Sequence, residues 1–144
     1  MEIGHPPPEV ERRILRERKS ISPIDAIQPV LNKNMVIALQ SLVDQVEIVE
    51  SVLQYAHDLI LTLRRSPLVE VGPSTRAALA LMRAVRAYAL LRGRTYVTPD
   101  DVKRLAVPVL AHRIRPRSNS LSSRHRRNAV RAVEESLAQL RVPT

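Results

Sequence analysis

The chain is 144 residues long with a net charge of +9 and 44% apolar residues, yet it has no Cys, Phe or Trp and only three tyrosines. The length sets one domain, or one with an appendage; the missing cysteines exclude a disulfide framework and thiolate metal sites. A core without large aromatics must be built from Leu, Val, Ile and Ala, and with only three glycines that favours close-packed helices.

Pro6-Pro7-Pro8 bars helix before it, so Glu9 to Lys19 reads as a short charged helix with Val10, Ile14 and Leu15 on one side. Ser20 to Pro29 has no clean period and reads as a loop. Asn32 or Asn34 then caps a helix from Met35 to about Val46, with Val36, Leu39, Leu42, Val43 and Val46 at helical spacing. A longer helix, roughly Val49 to Arg65, is expected to bury Val52, Leu53, Ala56, Leu59, Ile60 and Leu63 before Ser66-Pro67 ends it. After a connector, apolar residues cover nearly every face from Ser74 to about Leu91, which predicts a central helix packed on several sides, with Gly93 as its C-cap.

Thr98-Pro99-Asp100-Asp101 is a strong helix start: Thr98 caps, Pro99 takes the first position and Asp101 closes a capping box. That helix runs to about His112 with a kink expected at Pro108. Arg113, Arg115, Arg117, Arg124, Arg126, Arg127 and Arg131 fall in one acid-free window and hold most of the positive excess, so the basic character is local. Two uses of that window stay open, a solvated linker and a surface for an acidic partner or nucleic acid. Asn128 to Leu140 reads as a last helix burying Val130, Val133, Leu137 and Leu140. No strand pattern exceeds a few residues. The expected class is all-α, a bundle of five to six helices. Its organisation reads as an N-terminal helix and proline-containing loop (1–30), a helical body (31–114) with a helix over 74–92, a basic linker (115–127) and a C-terminal helix and tail (128–144).

No Gly-x-x-x-x-Gly-Lys-Ser/Thr loop occurs, so the chain cannot cradle nucleotide phosphates alone in that manner. His5, His57, His112 and His125 stand singly, no metal site is expected, and no catalytic set can be assembled. The start of the helix at Ser74 is different. A helix N-terminus has unpaired amides and a partial positive charge, so Arg76, two residues inside the Ser74 cap, has the wrong sign unless an anion arrives. It is either a solvated arginine at a small electrostatic cost or half of a phosphate site.

The runs Gly72-Pro73-Ser74-Thr75-Arg76-Ala77-Ala78-Leu79-Ala80-Leu81, Gly93-Arg94-Thr95-Tyr96-Val97-Thr98-Pro99-Asp100-Asp101-Val102 and Val109-Leu110-Ala111-His112-Arg113 together resemble the C-terminal lid of MoxR-type AAA+ ATPases. Ile3-Gly4-His5-Pro6 resembles the segment that follows the core's last strand in that family. Val46-Glu47-Ile48, with Val52 and Tyr55 beyond, is similar to the entry into the long lid helix, and Leu140-Arg141-Val142-Pro143 to the family's usual end. The resemblance implies that the P-loop, the Mg-binding acids and the arginine finger lie in an α/β core upstream, with Met1 an added or split start. It implies that Arg76 is the sensor 2 arginine, reaching the γ-phosphate of ATP in the parent enzyme in cis or in trans, with Ser74 as its helix cap. His5 stands where the family commonly has Tyr, which puts its hinge contact to the nucleotide in question, and Thr75 stands where the family usually has Pro.

The implied function is coupling of ATP binding and hydrolysis, with Mg, in the parent AAA+ ATPase to chaperone-like maturation of client proteins. This chain alone is expected to lack ATPase activity and to hold no nucleotide or metal. Implied partners are the chain's own AAA+ core, neighbouring subunits of a ring, commonly a hexamer, a von Willebrand factor A-domain protein and a client. Nucleic acid is not an expected partner. No apolar run approaches the roughly 20 residues of a bilayer span, and the expected location is the cytoplasm. The alternatives are a basic helical nucleic-acid-binding protein using the 113–131 arginines and an adaptor that docks on another ATPase.

Overall fold

The structure is a computed structural model and describes residues 4–17, 24, 27–117 and 124–143. The loop expected over Ser20 to Pro29 and the middle of the basic linker fall largely outside these residues. The chain divides into two compact units, Met1–Ile37 and Ala38–Thr144, with the division inside one helix.

In the first unit, α1 (Pro8–Glu17) carries Glu9 and Glu11 in its first turn and Arg16 in its last, matching the helix dipole. It buries no residue, and Leu15 is exposed. Here α2 (Lys33–Asp44) begins, and Asn32 is its cap: the Asn32 Oδ1 accepts from the Met35 amide at 2.9 Å. The apolar stripe of α2 is present but buries nothing; Met35, Val36, Leu39 and Leu42 are all exposed. An amphipathic period announces a face that needs covering, and no residue described here covers it.

The second unit holds the core. Its elements are α3 (Glu50–Arg65), β1 (Val69–Val71), α4 (Thr75–Leu91), α5 (Pro99–Leu110), a single 3-10 turn (Ala111–Arg113), β2 (Arg115–Pro116) and α6 (Arg124–Ala138). The described residues are mostly helical, as the sequence predicts. From α3 the core takes Val52, Tyr55, Ala56, Leu59, Ile60 and Leu63; Tyr55 enters in place of the expected Leu53, which is exposed. The Tyr55 hydroxyl has no hydrogen-bond partner among the described residues, and burial pushes the phenol pKa up, with Lys103 opposing.

α4 is not the many-sided central helix that its composition suggests. It buries one stripe, Ala77, Leu81, Val85 and Ala89, while Leu79 and Leu91 are exposed at 62% and 83%. Alanine at both ends of the stripe lets a neighbour approach closely, and α5 packs there with Val102, Ala106 and Leu110. The same logic moves the buried face of α6 to Ala129, Ala132, Val133 and Ser136, leaving Val130, Leu137 and Leu140 half-buried. The helix also starts at Arg124, so four residues read as linker are helical.

Two elements escaped the sequence pattern because they are only three and two residues long. β1 pairs antiparallel with β2, Val69 opposite Pro116 and Val71 opposite Arg115, and the Arg117 amide donates to the Leu68 carbonyl at 2.8 Å. The first residues of the expected linker are therefore tied to the connector that leads into α4. At the other end of α4, Gly93 adopts φ +73°, the Gly93 amide donates to Leu90 and the Arg94 amide to Ala89. This is a Schellman closure, the reason a glycine is needed there. α5 continues as helix through Pro108 to Leu110.

Candidate functional site

The start of α4 is built by a short run of constrained residues. Gly72 lies against α3: a Cβ there would sit 2.8 Å from the Arg64 Cγ and 2.9 Å from its Cα. Pro73 is fully buried, and its carbonyl accepts from the Arg64 Nε at 3.0 Å. Ser74 is extended (φ −73°, ψ 165°), and its Oγ accepts from the Ala77 amide at 3.2 Å. The Ser74 carbonyl takes the Ala77 and Ala78 amides. The amides of Thr75 and Arg76 have no acceptor among the described residues. These are the orphan donors of a helix start.

No acid occupies the first turn of α4. Arg76 is exposed and forms no hydrogen bond or ion pair among the described residues. At about 100° per residue, Arg83 lies about 20° from Arg76 around the axis and Arg86 about 80°. Arg86 does not share their freedom: its Nε donates to the Val46 carbonyl at 3.2 Å, holding the segment before α3. Beside the site, Thr75, Ala78, Leu79 and Met82 face Leu53, His57 and Ile60 of α3 across an apolar groove of about 340 Å³.

The start of α5 holds a carboxylate of its own. Asp101 is buried and accepts two bonds from Arg94, Nη1 to Oδ2 at 2.8 Å and Nη2 to Oδ1 at 2.7 Å. The Thr98 amide and hydroxyl add bonds to the same carboxylate at 2.8 and 2.9 Å. Burial alone would raise the Asp101 pKa, but the Arg94 and Thr98 hydrogen bonds outweigh it and hold it below the usual carboxylate value. The Arg94 guanidinium is raised in turn, chiefly by its bond to Asp101. The capping box was legible in the sequence; the Arg94 clamp, reaching across seven residues, was not.

A parallel bridge brings the two loops ahead of α3 and α5 together, the Glu47 amide donating to Thr95 and the Val97 amide to Glu47. The starts of α3 and α5 thus stand on a common, hydrogen-bonded base.

The family model of the AAA lid domain matches residues 61–136, which takes in the C-terminal end of α3 through most of α6. This chain belongs to the AAA lid domain family. The lid is 37% identical over 114 residues to YeaC of Bacillus subtilis, covering 79% of this chain and 36% of that protein. It is 31% identical over 121 residues to the chaperone MoxR1 of Mycobacterium tuberculosis, covering 78% and 32% respectively. The lid therefore spans about a third of the length of each. The crystal structure of a candidate ATPase from Cytophaga hutchinsonii superposes with a TM-score of 0.77 at 25% identity, over 99% of the lid and 45% of that chain. The resemblance to a MoxR-type lid stands on these matches.

Of the residues singled out in the sequence, Ser74 and Arg76 share the start of α4 in the second unit of the lid. His5 is exposed in the first unit, next to Gly4 at φ +65°. Among the described residues no group of three His, Asp or Glu side chains could hold a metal ion.

Proposed function

We propose that this lid works in a MoxR-type AAA+ ATPase, where Arg76 and the first turn of α4 contact the γ-phosphate of ATP held by an α/β core. The observation that supports this is the start of α4 itself: two amides without acceptors, a guanidinium without a partner and no acid in the turn. This donor set fits one phosphate group and no more of a nucleotide. Arg76 and the amides of Thr75 and Arg76 would bind that group, while the core would hold the rest together with Mg. Bound ATP supplies the bond that is hydrolysed; the lid contributes positive charge aimed at the oxygens where charge develops.

One guanidinium and a helix start supply about 1–3 kcal/mol, which corresponds to affinity weaker than millimolar for the lid alone. Nucleotide binding therefore requires the core, and the angle between lid and core follows the nucleotide state. Ring assembly, with chaperone-like maturation of client proteins as its output, extends this reading from relatives such as the chaperone MoxR1. The basic segment supports the nucleic-acid alternative less well. Arg115 is paired with Glu70 at 3.0 Å, Arg131 with Glu135 at 2.6 Å, and the Arg113 Nη1 donates to the Val109 carbonyl.

The test is Arg76→Ala in the ATPase that carries this lid. Turnover at saturating ATP is expected to fall by about 10²-fold or more. Unchanged turnover would rule out the phosphate-contact role.

A further inference from the structure

We propose that Arg64 is the positioning residue for Arg76, setting where the first turn of α4 points; this rests on the reading of Arg76 as the phosphate contact. Arg64 lies in the last turn of α3 and is exposed, but its stem and its Nε are both engaged. Its stem and Cα form the floor under Gly72, so close that a methyl group at Gly72 would meet the Arg64 backbone at 2.9 Å. A backbone atom cannot rotate out of the way as a side chain could. Its Nε binds the carbonyl of Pro73, the residue immediately before the Ser74 cap. No acid pairs with the guanidinium among the described residues, so a neutral carbonyl alone sets its orientation.

The consequence is a strut between two helix ends. Gly72 can approach only because it lacks a side chain, Pro73 is buried with a fixed φ, and Arg64 closes the turn from the α3 side. Arg76 follows Ser74 by two residues, with no flexible segment between. Loss of the Nε bond frees the Pro73 carbonyl and lets the first turn of α4 settle elsewhere. Misplacement of a catalytic group by about 1 Å costs up to about 10²-fold in rate. A cation in the last turn of α3 also suits the helix dipole, but any cation meets that need; the Nε bond requires the guanidinium.

The experiment uses the ATPase that carries this lid and compares Arg64→Met, Arg76→Ala and the double variant. Arg64→Met keeps a stem under Gly72 and removes the donor. Its expected signature is a kcat about tenfold lower, a KM for ATP within about twofold, and no further loss when added to Arg76→Ala, since residues acting as a unit are not additive. Unchanged turnover in Arg64→Met, with turnover lost in Arg76→Ala, overturns the strut and leaves the reading of Arg76 standing. A loss that multiplies in the double variant also overturns it. Unchanged turnover in Arg76→Ala removes the reading on which the strut rests. Should Arg64→Met fail to fold, Arg64→Lys retains stem and charge; it is expected to show a smaller loss with the same non-additivity, and wild-type kinetics there would overturn the strut.

Discussion

Two helices of the lid begin with similar sequences and opposite electrostatics. α5 starts at Thr98-Pro99-Asp100-Asp101 and places a carboxylate over its own first turn, clamped by Arg94 and Thr98. α4 starts at Ser74-Thr75-Arg76 and places a cation there, with two amides left over. Both are capped, so both are stable as helices. The difference is that α5 finds its anion within the chain, and α4 leaves the place for one open. A closed start serves the fold; an open one costs a little stability, and the γ-phosphate contact proposed for it is what that cost would serve.

Each half of that comparison can be broken by substitution. The largest effect is expected from Arg76→Ala, which should cut turnover of the assembled ATPase by about 10²-fold while the thermal midpoint of the lid stays within about a degree of wild type. A fall in the midpoint of several degrees would mean that α4 is also a structural start. Next comes Asp101→Asn, which leaves Arg94 facing a neutral amide. It should destabilise the lid by about 2–3 kcal/mol in urea unfolding, discounted for the partial exposure of Arg94.

The same carboxylate makes stability depend on pH. The folded pKa of Asp101 lies below its unfolded value, so its contribution is complete above about pH 3.9 and is lost as pH falls through the folded value. Acid unfolding followed by circular dichroism should accordingly be shallower in Asp101→Asn than in wild type; parallel curves would contradict the clamp.

Ser74→Ala removes the cap and should cost about 1 kcal/mol, read as a shift in urea midpoint with an unchanged slope. The smallest effect has the opposite sign. Arg76→Asp supplies α4 with the anion that α5 already has and should stabilise the isolated lid by about 0.3–1 kcal/mol, an increment that fades at high salt. That variant would make the two starts alike and remove the proposed phosphate contact from one.

The features legible in the sequence were the local ones. Gly93, the Thr98-Pro99 start and the Ser74 cap are each set by residues within a few positions, through backbone geometry that little else can override. The hidden features depend on distance. Arg94 and Asp101 are seven residues apart, Arg64 and Pro73 nine, and β1 and β2 are too short to show alternation. The apolar count of α4 overstated its burial, because a helix rich in Ala and Leu reads as core on every face while packing decides which stripe is used. α2 shows the converse. Its stripe was correctly seen, but a stripe does not say that its partner lies among the residues at hand. At the site, the residue types at Ser74 and Arg76 were readable, and the strut behind them was not.

The buried Tyr55 has an optical consequence. With no tryptophan in the chain, tyrosine emission is not drained by energy transfer, and Tyr55 is the tyrosine sealed in the core while Tyr96 is 53% exposed. Near-ultraviolet circular dichroism is therefore weighted toward Tyr55 on the buried face of α3 and half-buried Tyr88 on α4, whose ring lies under the Arg104 guanidinium. The lid carries its own reporter, and the loosening of its core can be followed without attaching a dye.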